Sequence, residues 1–177
     1  MENIKTRGMA KDLTFTCVLI AIGIILPSIF HMFHLGGPIF LPMHIPVIMC
    51  GFLVGRKYGL MCGIIVPLLS SVLTGMPPLF PTAITMSLEL GTYGYVSGLL
   101  NNKVNPYIAL IAAQIMGRIV GAMSSFIILG LAAKPFVLST YLTGVFVTAL
   151  PGILLQLLLI PTGMMLLKKV GVGKLHG

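Results

Sequence analysis

Of the three acidic residues in this 177-residue chain, Glu2, Asp12 and Glu89, only Glu89 lies within an apolar run, and Arg118 is the one cation so placed. At the centre of a membrane helix each costs about 2.5–3.5 kcal/mol or more on insertion scales, so their retention needs a reason. One reason is a buried ion pair pinning two helices together. Another is ligand binding: the guanidinium fork takes a carboxylate by two parallel bonds, and the carboxylate takes a donor or a cation. Gln114 falls one helical turn before Arg118, and Tyr93 one turn after Glu89, each on the same face as its charged neighbour. Gln156, in the last apolar run, supplies an amide, and His44, at the start of a short one, can donate or accept near a rim. Catalysis has no such support, because the chain lacks HExxH, GxSxG and paired intramembrane carboxylates. Gly171-Val-Gly173-Lys174 lacks the rest of a phosphate loop. No enzyme activity, cofactor or metal site is expected.

Composition says what must hold these groups. The chain is 57% hydrophobic and 8% charged, against roughly 25% charged in an ordinary soluble domain. That excludes a cytosolic enzyme and a disordered chain, and leaves an all-α integral membrane protein. With about 20 residues per span, six helices consume most of the length and form a single membrane domain over 1–177. Hydropathy and the Pro and Gly breakers put them at about 12–30, 44–54, 58–73, 81–100, 106–131 and 140–167, with kinks at Pro151 and Pro161 in the last. At ~1.5 Å per residue Glu89 stands ~16 Å above residue 100 and Arg118 ~18 Å above residue 106, with Gln156 at a similar height. Three helices thus bring a carboxylate, a guanidinium and an amide to one level.

The net charge of +8 comes from cations flanking the apolar runs in twos and threes, a pattern of topology signals and lipid-headgroup contacts rather than of nucleic-acid binding. With the N-terminus inside, nine Lys and Arg residues fall on the inner side and only Lys134 on the outer. Both termini are then cytoplasmic. The uncharged segments around His34 and around Met76, Pro77 and Phe80 fall outside, and their Gly and Pro content suits lids over an outward pocket. Cys17, Cys50 and Cys62 have no metal-ligand spacing and read as packing residues. Cys17-x-x-x-Ala21 and Gly117-x-x-x-Gly121 are small-residue faces that let helices approach closely, within the chain or between chains.

Three local patterns carry a family resemblance: the stretch from Leu41-Pro-Met-His to Gly55-Arg-Lys-Tyr-Gly59 with glycines every four residues, Pro67-Leu-Leu-Ser-Ser-Val-Leu-Thr-Gly75, and Leu150-Pro-Gly-Ile-Leu-Leu-Gln. With six helices and basic ends, the chain resembles a substrate-binding (S) component of an energy-coupling-factor (ECF) vitamin transporter. The resemblance implies a bacterial plasma-membrane protein that captures a vitamin or precursor from outside. Its implied partners are a membrane coupling subunit, met by a first-helix small-residue face for which Cys17 and Ala21 are the nearest match, and two ATPase subunits. Arg118 favours a ligand with a carboxylate or another acceptor group, and Glu89 a donor or cation; pantothenate fits Arg118 best, with B6-type, queuosine-type and other vitamin precursors open. Two other functions share the composition: a proton-coupled exporter with Glu89 as the exchanging acid, and a six-helix membrane scaffold that binds nothing.

Overall fold

A computed structural model describes residues 2–33 and 37–169. His34 lies outside the described residues. Among those described there is no strand; the elements are α1 (Glu2–Met32), α2 (Gly37–Phe40), α3 (His44–Val54), α4 (Arg56–Thr74), α5 (Ile84–Leu100), α6 (Pro106–Leu131), α7 (Leu138–Leu142) and α8 (Leu150–Lys169). Five segments are long and apolar enough to cross a membrane: Gly8–Phe30, Gly37–Val54, Arg56–Thr74, Pro106–Leu131 and Leu150–Leu167. The sixth, α5, has 17 residues and packs between α4 and α6, with α3 against it. The result is an all-α membrane bundle.

The most closely packed part of the bundle is the trio α3, α4 and α5, whose backbones touch. A Cβ on Gly94 would strike the Gly59 backbone, and one on Gly63 would strike the backbone at Leu90 and Gly91. The glycine repeat therefore has a physical use: Gly51 and Gly59 lie against Gly94, while Gly55, at φ +112°, makes the turn from α3 into α4. Ser97, fully buried here, bonds to the Ile48 carbonyl at 3.2 Å, so the polar group in this contact is satisfied. Around the trio, Val47, Ile48, Val66, Leu90, Leu110 and Ile160 form a fully buried core with Cys50 and Cys62. α1 covers α3 and α4 on one side. Its opposite side exposes Val18, Ile22, Ile25 and Ile29, as a lipid-facing surface does.

Three elements depart from the expected boundaries. α1 begins ten residues earlier than expected and continues past Pro27, which it accommodates within the helix. α5 is preceded by a wide turn, Leu79–Ala83, in which Phe80 is extended (φ −119°, ψ 132°) because residues before a proline avoid the helical region. The last span, expected as one helix over 140–167, breaks between α7 and α8 into a π-type segment, Thr143–Thr148, closed by an Ala149 N–H to Gly144 carbonyl bond. Pro151 lies in the first turn of α8, where its missing N–H costs nothing, so a new helix starts there rather than a kink forming. At the opposite end of the bundle, Asn105 caps α6 by accepting from the Tyr107 N–H, with Pro106 at the first position.

Candidate functional site

A cavity of about 760 Å³ opens between the α1–α3 connection, the segment before α5, the upper half of α6 and the α7–α8 break. Its size is that of pockets which enclose a drug-sized ligand. The walls are largely apolar, and seven prolines (Pro27, Pro38, Pro42, Pro77, Pro78, Pro81 and Pro135) stand among Met43, Met76, Met86 and Phe136. The charged side chains on its lining are Glu89 and Arg118.

Each of the two is held by something other than its opposite charge. The Tyr93 hydroxyl donates to Glu89 Oε1 at 2.5 Å, across the one-turn spacing on α5. The Arg118 guanidinium donates to the Val145 carbonyl and rests 5.0 Å from the centroid of the Phe146 ring. The Tyr141 hydroxyl donates to the Arg118 carbonyl at 3.1 Å. No ion pair joins Glu89 to Arg118, so of the two readings left open by the sequence the pinning ion pair is not formed. The broken last span is the reason, because its π-type segment brings a backbone carbonyl to the guanidinium.

Glycines on α6 make the room. A Cβ on Gly121 would lie 2.5 Å from the Tyr141 hydroxyl and 2.6 Å from Glu89 Oε2, and one on Gly117 would overlap the Tyr93 ring. Gly117-x-x-x-Gly121 is thus an internal seat for the side chains of α5 and α7. Cys17 and Ala21, by contrast, are exposed on α1.

Below the cavity Gln114 and Gln156, both buried, join side chain to side chain at 2.9 Å. They are beneath the lining rather than on it, so the expected single level resolves into two: charges above, amides below. His44 is on the lining, 4% exposed, with its ring 5.3 Å from that of Tyr93, and its Nδ1 has no partner. Met76 and Pro77 also line the cavity, whereas Phe80 is half exposed and turned away from it. Sequence reasoning missed Tyr141, Thr82, Thr85 and Thr148. Thr82, Thr85, Met86 and Glu89 follow the i, i+3, i+4, i+7 pattern of one helix face, and that spacing was the signal available.

The arrangement can bind but has no reacting pair. It offers an acceptor on Glu89 and the remaining donors of Arg118, under walls that supply apolar contact. The chain matches the model of the family described as ECF transporter, substrate-specific component, over residues 11–162. No curated protein and no solved structure matches it.

Proposed function

The chain belongs to the substrate-specific components of ECF transporters, and from that premise we propose that its cavity is the substrate site and that the substrate is a vitamin or a vitamin precursor. Membership makes it a transporter subunit that binds substrate and associates with a coupling subunit and ATPase subunits, which carry the ATP hydrolysis. The observation that carries the assignment of the site is the pair of unlike charges facing one apolar-walled cavity without bonding to each other. Ionisable side chains at membrane depth that face a cavity are functional-site candidates by default. His44, Glu89 and Arg118 contact the substrate, Tyr93 orients Glu89, and the Gln114–Gln156 pair fixes α6 against α8 beneath the floor. Met76 and Pro77 cover the mouth.

The same proposal fixes the orientation. Lys11, Arg56, Lys57 and Lys103 fall at one end of the alternating helices and Lys134 at the other, so the cavity opens outward and both termini face the cytoplasm of a bacterial cell. The exposed Cys17 and Ala21 on α1 are the docking face for the coupling subunit. Pantothenate, the acid that Arg118 alone suggests, belongs on the panel of compounds to test.

Native mass spectrometry of the detergent-purified chain against a panel of vitamins and precursors tests the proposal. A stoichiometric adduct that disappears in Arg118→Ala supports it. Folded protein that takes up no compound sinks it and favours a scaffold. A proton-coupled exporter would instead lose gradient-driven flux in Glu89→Gln without any requirement for ATPase partners.

A further inference from the structure

The polar floor also says what kind of substrate end it takes, if the cavity is the substrate site as proposed above. Opposite charges in a low-dielectric cavity attract strongly, and the least costly empty state is usually a closed ion pair. Here the carboxylate is held by Tyr93 and the guanidinium by the Val145 carbonyl and the Phe146 ring, so the two are kept apart. Glu89 spends Oε1 on the Tyr93 hydroxyl, and its Oε2 lies over Gly121, where α6 carries no side chain. Arg118 commits one of its five N–H donors to Val145. Next to them His44 is buried, with no partner at its Nδ1.

We propose that the substrate meets this floor with a net-neutral polar end that places an N–H donor beside an oxygen acceptor, as in a cyclic imide, a lactam or a zwitterion. The donor goes to Glu89, the acceptor to Arg118, and an apolar body lies against the proline and methionine walls. A simple anion fits worse, because it satisfies Arg118 while bringing its own negative charge toward the Glu89 carboxylate. A simple amine fits worse for the mirror-image reason. The cavity volume of about 760 Å³ leaves room for an apolar body beyond the polar end.

Binding constants for three probes decide the matter: riboflavin, with an imide N–H between two carbonyls; pantothenate, an acid; and pyridoxamine, an amine. Each is titrated into the detergent-purified wild type, Glu89→Gln and Arg118→Gln, with thermal unfolding as the check on folding. Tightest binding of riboflavin, weakened about tenfold or more by each substitution separately, is the expected result. Tightest binding of pantothenate with Glu89→Gln unchanged or tighter would overturn the proposal while leaving the substrate site intact. So would pyridoxamine binding that ignores Arg118→Gln. Failure of all three to bind folded wild type removes the donor–acceptor proposal for this floor. The wider vitamin panel then decides separately whether the cavity binds substrate.

Discussion

Replacing Gly121 by alanine adds one methyl group and separates the site from the fold. The new Cβ would stand 2.6 Å from Glu89 Oε2 and 2.5 Å from the Tyr141 hydroxyl, roughly 0.8 Å inside ordinary van der Waals contact. Both neighbours are ends of side chains and can swing away, so the backbone need not move. The carboxylate then leaves its place over Gly121, and a substrate bond to it is strained or lost. A hydrogen bond to a charged group is worth about 1.5–3 kcal/mol, which converts to roughly a 10- to 150-fold weaker dissociation constant. Stability should change little, because alanine regains about 0.8–1 kcal/mol of helix propensity over glycine. Two alanines on the same helix calibrate the result. Gly130 has open space around its Cβ position, so Gly130→Ala should only stabilise. Gly117→Ala meets the fully buried Tyr93 ring, which has nowhere to go, and should cost about 1–3 kcal/mol of overpacking. Thermal unfolding in detergent of the three variants, followed by titration with the compound bound by wild type, reads both effects. Gly121→Ala binding as tightly as wild type, or losing as much stability as Gly117→Ala, would refute the reasoning.

Gly94→Ala forces a side chain onto the Gly59 backbone and should cost about 3 kcal/mol or more, seen as loss of the monodisperse peak on size-exclusion chromatography. Gln114→Leu strands the buried Gln156 amide and should destabilise by about 1–2 kcal/mol, while Gln114→Leu with Gln156→Leu should recover most of it in the same unfolding assay. In a background with Cys17→Ser, Met76→Cys should react with a membrane-impermeant maleimide on intact cells, and Lys103→Cys only after permeabilisation; the reverse pattern would invert the orientation.

The helical bundle and the charged pair were legible in the sequence because each is a statement about composition along the chain. An apolar run of membrane length leaves a plain signal, and so does a single carboxylate within one. Tyr93 was legible for a similar reason, since its bond to Glu89 depends on spacing along one helix. What was not legible depends on how separate helices meet. Height alone put Gln156 on a level with Glu89 and Arg118, but it does not say which way a side chain turns, and Gln156 turned to Gln114. Tyr141 and the Val145 carbonyl were hidden by the break in the last span, which comes from a local change in helix width that no proline marks at that point. The Glu89–Arg118 ion pair, one of the two readings left open, failed there, because a backbone carbonyl is invisible to any count of charged side chains.

The hold of Val145 on Arg118 also has a consequence for biosynthesis. The carbonyl lies 27 residues further along the chain than the guanidinium it receives. Synthesis proceeds from the N-terminus, so α6 carries Arg118 toward the lipid before the segment that will satisfy it has left the ribosome. In that interval Glu89, already placed on α5, is the one carboxylate of the apolar runs able to neutralise the arginine. Until then the arginine has Glu89 as its one charged partner within the apolar runs, and the last span supplies the carbonyl that holds it in the finished protein.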